Sequence, residues 1–473
     1  MRFVAMCLLS ATLAAASDWP RFRGPNGSGV SPDKDLPSEI GKDRNVLWKV
    51  KTPLGNSSPI IVGDRIFITA QEGDDRVLLC YGVADGATLW RRAVPKARTE
   101  AANPLNGYAT PTPATDGNRV FVFYPEVGLV AYDFKGEERW RVLLGPFGGV
   151  QGMAVSPVYA GGAVALLIDT PEQAYLAAFD AKTGKERWKV ERPVGFLGGY
   201  ATPSLYQPKG QPEQLVVAGA VELTGYDCKT GARLWWASGI TYAPAALPLV
   251  AGDSVYTVEP ATGAEAPPPF SGWLKQFDKN GNGAIEVDEV AGESANAKIM
   301  TRIIRSMDRN SGNGDGSVTE EEYKKAFNPD VPTGGLVRTK LGGKGDVTQS
   351  HAGWRHGKGL PYVTAPVLYE GVLYVIRNGG ILSTFDPETG QLQRKERLKD
   401  GTGDYYAQPV AGDGKIYFIN HDGKASVIRA GAKWEMLSSG DLDEAVIATP
   451  AIAGSRIYVR TKGTLYCFGA AKG

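Results

Sequence analysis

Tyr226-Asp227-Cys228-Lys229-Thr230-Gly231-Ala232-Arg233-Leu234-Trp235 couples an aromatic-Asp pair to a Thr-Gly turn and a tryptophan. Asp and Thr-Gly supply the polar, positive-φ hairpin turn between two strands, and the aromatic and the Trp are placed to pack between neighbouring sheets. The phrase recurs at Tyr132-Asp133 with Gly136 and Trp140, at Phe179-Asp180 with Thr183-Gly184 and Trp188, and at Phe385-Asp386 with Thr389-Gly390. Self-similarity at a fixed period marks a repeat architecture, so it is weighed before any local element.

A second phrase opens each unit: a small residue and Pro, an apolar strand, a Gly-rich turn, then a β-branched and aromatic strand. It occurs at Ser58-Pro59, Thr110-Pro111, Ser156-Pro157, Thr202-Pro203, Ala243-Pro244, Ala365-Pro366, Gln408-Pro409 and Thr449-Pro450. Apart from the gap between Pro244 and Pro366, the separations of about 41 to 53 residues suit four-stranded propeller blades. The last unit stops near Phe468 without a Trp strand, and the N-terminus offers an orphan strand, Val46-Leu47-Trp48-Lys49-Val50. Pairing the two would close the ring and remove an exposed sheet edge. The expectation is a mainly β chain, an eight-bladed β-propeller, with a small α-helical insert in blade five.

Composition agrees with this. Sixty glycines and 31 prolines suit many short strands and tight turns better than long helices. Net charge is +1 and no Lys/Arg block stands out, which disfavours nucleic acid. Arg2, the apolar run Phe3 to Leu9 and Ala14-Ala15-Ala16 read as a signal peptide over 1–16, giving an exported protein, periplasmic or extracellular, with no transmembrane segment. Cys7 has no lipobox context. Cleavage would leave Cys80, Cys228 and Cys467, read as buried small hydrophobes rather than bridges.

The repeat phrases resemble those of the quinoprotein-alcohol-dehydrogenase-like propellers, a superfamily that includes quinone-dependent dehydrogenases and the outer-membrane assembly propeller. A nearer resemblance is to exported proteins with pyrroloquinoline-quinone-like repeats, carried by Asp18-Trp19-Pro20-Arg21-Phe22-Arg23-Gly24-Pro25-Asn26-Gly27, Leu360-Pro361-Tyr362 and Gly379-Gly380-Ile381-Leu382. The resemblance implies fold more than activity.

Within the long gap the chain turns helical and charged after the Pro-rich Ala266 to Pro269. Asp278 to Glu289 fits a twelve-residue EF-hand loop: Asp278, Asn280 and Asn282 as early oxygen ligands, Gly283 at the sharp turn, the Ala284 carbonyl, Glu286, and Glu289 as the closing bidentate carboxylate. Hard oxygen ligands in a flexible cage select Ca²⁺. Trp273 and Phe277, four apart, cover one helix face. A second copy runs from Asp308 to Glu322 and is three residues longer. Anchored at the front, its early ligands are Asp308 and Asn310; anchored at Gly316 and Glu322, they are Ser311, Asn313 and Asp315, with Ser317 following. Met307 before Asp308, matching Phe277 before Asp278, favours Asp308 with an expanded loop. Ile299, Ile303, Ile304 and Met307 form an apolar stripe, read as the core of this module. The expected domains are 17–259 for the closing strand and the blades up to the first part of blade five, 260–340 for the EF-hand insert, and 341–473 for the remainder. Lys340 to Val347 would be the return and Trp354 the outer-strand Trp of blade five.

Two functions compete. A quinone-dependent dehydrogenase would use pyrroloquinoline quinone on the propeller axis, but the adjacent cysteines that the resemblance leads one to expect are missing, as is a Cys-x-x-Cys-His haem site. His351, His356 and His421 have no ligand-spaced partners, and no catalytic residue is assigned. The favoured reading is a calcium-binding scaffold for a protein, peptide or glycan. Tyr108, Tyr200, Tyr242, Tyr362 and Tyr406 precede blade-start prolines and would gather at one mouth of the axis.

Overall fold

The computed structural model describes residues 17–103, 105–148, 152–193, 198–241, 243–260 and 268–470; the segment 1–16, read from sequence as a signal peptide, lies outside them. Eight antiparallel sheets form the blades, and in each the chain steps from strand to neighbouring strand. Blade two, for example, runs through Ala114–Thr115, Arg119–Tyr124, Gly128–Asp133 and Glu138–Leu143. The middle strands are mostly buried, while outer strands are largely exposed, as in Glu138–Leu143, where Trp140 alone is buried and Glu138, Arg139, Arg141 and Leu143 are exposed. The orphan strand Val46–Lys51 pairs antiparallel with Thr464–Gly469 and completes blade eight.

Sheets packed face to face offer no backbone ladder to one another, so side chains tie the seams. On the outside, the indole N–H of Trp48 donates to Val83 O at 3.1 Å, Trp90 to Phe134 O at 2.9 Å, Trp140 to Ala181 O at 3.0 Å and Trp188 to Cys228 O at 3.2 Å. Each bond reaches from the outermost strand of one blade into the turn of the next. The repeated Thr-Gly turn is shaped for that ring. At Gly184, φ is +71° and a Cβ would stand 2.7 Å from Trp140, so only glycine meets both demands.

On the inside, the residue before the strand-start proline joins a second series in every blade but the fifth. The Ser58 N–H donates to Thr112 Oγ1 at 2.9 Å, Thr112 N–H to Ser156 Oγ at 3.0 Å, and Ser156 N–H to Thr202 Oγ1 at 3.0 Å. On the other side Thr449 N–H donates to Ser58 Oγ at 3.0 Å, Gln408 N–H to Thr449 Oγ1 at 3.0 Å, and Ala365 N–H to Gln408 Oε1. This belt corrects two positions of the sequence reading. The first strands of blades two and five begin after Pro113 and Pro248, at Ala114 and Leu249, rather than after Pro111 and Pro244. Both segments hold two X-Pro pairs, and the second pair is the one in register with the belt.

Blade five is the irregular one. Its strands are Leu249–Ala251, Ser254–Glu259, Gly335–Lys340 and Ala352–His356, with Trp354 on the last. The helical segment therefore interrupts the hairpin between the second and third strands. Gly335–Lys340, assigned from sequence to the insert, belongs to the blade: its alternating Leu336, Arg338 and Lys340 pair with Val258, Tyr256 and Ser254. The return that follows is partly ordered too, since Gly345–Asp346 pairs in parallel with Trp235–Trp236 of blade four. The insert carries four α-helices among the described residues: α1 (Phe270–Phe277), α2 (Val287–Val290), α3 (Ala295–Ser311) and α4 (Glu320–Phe327). Its core joins Phe270, Trp273, Ile303, Ile304, Met307 and Tyr323, and Val221 of blade four packs against it.

Cys80, Cys228 and Cys467 are free and buried, and burial pushes the thiols up, to about 12 for Cys80 and about 11 for Cys467.

Thr112→Val keeps the shape of the belt but leaves the buried Ser58 N–H without its acceptor, so urea unfolding is expected to show a loss of about 1–3 kcal/mol. An unchanged unfolding midpoint would show that the belt does not hold the seam.

Candidate functional site

The propeller axis holds a cavity of about 980 Å³ to which all eight blades contribute. Its wall has two tiers. The deeper tier is the belt itself, represented by Ser58, Thr112, Ser156, Thr202, Gln408 and Thr449. The outer tier lies two residues earlier on each entering segment: Asn56, Thr110, Ala154, Tyr200, Ala245, Val363, Tyr406 and Ile447. The two-residue step is the side-chain period of extended chain, which returns alternate residues to the same face.

That register sorts the predicted tyrosines. Tyr200 and Tyr406 stand on the outer tier, and Tyr362, 57% exposed, joins them beside Val363. Burial pushes the Tyr200 phenol up to about 12. Tyr108 lies four residues before Thr112 and does not line the cavity; the Arg76 guanidinium stacks over its ring at 4.5 Å. Tyr242 lies outside the described residues. Tyr405, Asn103, Asn106 and Asn378 line the wall without having been singled out from sequence. Of the histidines, His421 packs edge-on against Tyr406 at 5.3 Å, and His351 and His356 lie on the strand of Trp354 or beside it.

One end of the cavity is closed by the N-terminal segment Trp19 to Ser31. Trp19 bridges to Ile61 of blade one, Thr115 N–H of blade two donates to Pro20 O, and Asn26 exchanges two bonds with Leu205 of blade four. Arg21 donates to Pro203 O, Arg23 donates to Pro366 O of blade six at 2.9 Å, and Val30 bridges in parallel to Ala411 of blade seven. Phe22, between the two arginines, is the residue of this plug that lines the cavity. Both arginines are buried, and desolvation lowers them, Arg21 to about 10 and Arg23 to about 9; they stay charged at neutral pH. The sequence carried this device as the Asp18 to Gly27 phrase, but nothing local says that it crosses the axis.

The insert borders the same cavity. Ser294 caps α3, its side chain accepting from Ala297 N–H, and Ala295 and Asn296 of the first turn and Ile299 at the start of the second line the wall. Arg302 Nε donates to Pro171 O at 3.2 Å, Arg309 pairs with Glu191, and Asn328 Nδ2 donates to Ser238 Oγ at 3.5 Å. A segment that leaves blade five thus leans on blades three and four. Ile299, expected only in the insert core, serves both places.

Behind α3 lie the two oxygen-rich loops, joined by Ile285–Glu286 pairing with Ser317–Val318. Asp278 accepts from Gly281 N–H at 2.7 Å and Gly283 N–H at 3.0 Å, and Asp308 accepts from Gly314 N–H at 2.7 Å and Gly316 N–H at 2.8 Å. Asn280 accepts from Asn282 N–H and Asn282 from Ala284 N–H, as Asn313 does from Asp315 N–H and Asp315 from Ser317 N–H, all at 2.9 Å. Glu289 accepts from the N–H groups of Glu286, Lys279 and Asn280, which hold its carboxyl below the usual carboxylate range. Glu322 accepts from Thr319 and Asn313 N–H. The longer loop therefore combines the two alignments weighed from sequence: the favoured Asp308 comes from the front, Asn313 and Asp315 from the back. The three extra residues extend α3, and Asn310 turns away, donating to Ser306 O at 2.7 Å. Among the described residues no group of three or more His, Cys, Asp or Glu forms a metal-holding cluster; the loop oxygens come in good part from amides and backbone.

Eight blades tied by indoles outside and hydroxyls inside, around a plugged axis, define a propeller of the pyrroloquinoline-quinone-like repeat class. The chain belongs to the family described as outer membrane protein assembly factor BamB, whose sequence profile matches residues 39–262 and 346–473. The break in that match holds the whole helical insert. No curated protein sequence matches. Among solved structures, BamB from Moraxella catarrhalis is 12% identical, with a TM-score of 0.54 over 90% of this chain and 98% of that chain. Two quinohemoprotein alcohol dehydrogenases share the fold at a TM-score of 0.59. ADHIIG from Pseudomonas putida HK5 is 14% identical over 97% of this chain and 81% of its own. The enzyme from Comamonas testosteroni is 13% identical over 98% and 82%.

The quinone that the dehydrogenases' class implies is a tricarboxylate, and the cavity does not fit it. No Lys or Arg is among its described lining residues, and Glu172 adds a carboxylate there. Arg21 and Arg23 each place Nη2 on a carbonyl that anchors the plug and do not line the cavity.

Arg23→Ala removes the buried donor to Pro366 O, and a drop in stability of about 1–3 kcal/mol is expected in urea unfolding. A variant as stable as the parent would show that the plug is held without it.

Proposed function

We propose that this protein is an exported, calcium-binding β-propeller that works as a binding scaffold, with the axial cavity as its ligand site and the insert as an EF-hand pair. The observation that carries the ligand site is the cavity, built by all eight blades, floored by Phe22 and bordered by α3. Its size falls at the upper end of the roughly 300–1,000 Å³ of ordinary ligand sites. Export rests on the sequence of residues 1–16, and no helix among the described residues is long and apolar enough to cross a membrane. Family membership makes a protein partner the natural alternative occupant of the propeller's loops.

The calcium reading rests on the matched hydrogen bonding of the two loops. Asp278, Asn280, Asn282, the Ala284 carbonyl, Glu286 and Glu289 are the oxygen donors of one. Asp308, Asn313, Asp315, the Ser317 carbonyl and Glu322 are those of the other. Both carboxylates that close the loops accept N–H groups here, and those bonds would be exchanged for the ion. Sites as weak as about 10⁻⁴–10⁻³ M are filled outside cells, so calcium serves structure rather than sensing.

Calorimetric titration of calcium into the protein is expected to give two ions, with one lost in Glu289→Gln and the other in Glu322→Gln. No calcium heat would sink the EF-hand reading. Stoichiometric uptake of pyrroloquinoline quinone with alcohol-dependent dye reduction would overturn the scaffold in favour of a dehydrogenase.

A further inference from the structure

We infer that the axial cavity and the first turn of α3 form one composite site for the end of a neutral glycan chain. The inference rests on the reading of the cavity as a ligand site and adds the ligand's class. The lining is almost uncharged, with Glu172 as its charged side chain among the described residues. Its polar groups are amides and hydroxyls: Asn56, Asn103, Asn106 and Asn378 from the blades, and Asn296 from α3. The Gln408 amide is spent on Ala365 N–H and on the Val363 and Tyr406 carbonyls. Asn56 Nδ2 donates to Leu105 O, Asn103 Oδ1 accepts from Leu105 N–H and Asn378 Oδ1 from Tyr405 N–H, which leaves Asn56 Oδ1 and Asn378 Nδ2 for a ligand. Amides donate and accept at once, which is what a sugar hydroxyl also does, so the two can be matched without desolvating a charge. Tyr200, Tyr362 and Tyr406 supply flat apolar faces with a polar tip at the mouth, suited to the C–H face of a pyranose ring.

The shape of the site narrows the class further. With Phe22 as floor, the cavity is blind, so it takes the end of a chain and cannot thread one. A peptide end would bring a charge: a C-terminal carboxylate meets no cation in this lining, and an N-terminal ammonium has only Glu172. A glycan end brings none. The belt also removes the option of adding a peptide strand, because the N–H groups of Ser58, Thr112, Ser156, Gln408 and Thr449 already bond within the ring. Asn296 is exposed at the cap of α3, where its amide borders the cavity, so the insert contributes to the ligand site rather than only decorating the rim.

The test is saturation-transfer NMR and calorimetry of the full chain with short cello-, chito-, malto- and xylo-oligosaccharides, beside neutral peptides with free and with blocked termini. At least one neutral oligosaccharide is expected to bind. Its affinity should fall about tenfold or more in Tyr362→Ala and in Asn296→Ala. Both residues are exposed, and unchanged urea unfolding would show the variants to be folded. Binding insensitive to Asn296→Ala would remove the insert from the site. Binding of a free-terminus peptide with no oligosaccharide bound would overturn the glycan class and leave the ligand cavity standing. Silence from every oligosaccharide and peptide would overturn both, while the calcium titration is decided separately.

Discussion

A propeller blade presents its faces, not its edges, to its neighbours, so apart from the pairing of Gly345–Asp346 with Trp235–Trp236 the sheet ladders do not hold one blade to the next. In this protein the belt of backbone N–H to hydroxyl bonds at the start of the first strands does that work at the axis. Each donor is buried, and a buried N–H without an acceptor would cost about 1–3 kcal/mol. The belt therefore fixes the rotation of each blade relative to its neighbour and, with it, which side chains face the axis. The cavity wall is the belt plus the residues two positions before it. Structure and site come from a single register.

The belt is broken at blade five, where the corresponding residue is Leu247 and has no hydroxyl to offer. There the seams rely on other ties: Ser204 Oγ donates to Pro248 O at 2.6 Å, Gly345–Asp346 pairs with Trp235–Trp236, and Trp354 Nε1 donates to Pro387 O at 2.9 Å. The same blade accepts the insert. An insertion between the second and third strands of a blade lengthens a surface hairpin and leaves the axial first strand untouched, which explains how some seventy residues enter without opening the ring. The insert then folds back through α3 onto blades three and four. The plug works from the other end, and its contacts with blades one, two, four, six and seven tie together blades on different sides of the ring.

Much of this was legible in particular residues. The aromatic-Asp and Thr-Gly phrases mark the outer hairpins because turn geometry is local, and Trp48 was recognisable as a repeat tryptophan because its strand lacked a partner. The order of oxygen donors from Asp278 to Glu289 was legible for the same reason. Elsewhere two local patterns were equally good. Thr110-Pro111-Thr112-Pro113 holds two possible strand starts, and the wrong choice misplaced Tyr108 relative to the axis. Asp308 to Asp315 offers two alignments, and α3 resolves them by absorbing Arg309, Asn310 and Ser311 into its last turn. Gly335–Lys340 reads as a continuation of the insert until its pairing with Ser254–Glu259 is seen.

Residues close together in the chain set the repeat, its number and the chemistry of the turns and loops, while the closure of the ring by Val46–Lys51, which pairs with Thr464–Gly469 at the far end of the chain, followed from counting a strand left without a partner. Which tyrosines face the axis, that the Asp18 to Gly27 phrase is a floor and that α3 is a wall are settled by how the blades pack. Those depend on contacts such as Arg23 with Pro366 and Arg302 with Pro171, between residues hundreds or more than a hundred positions apart, whose meeting is fixed by how the blades are turned and by nothing in the neighbouring sequence.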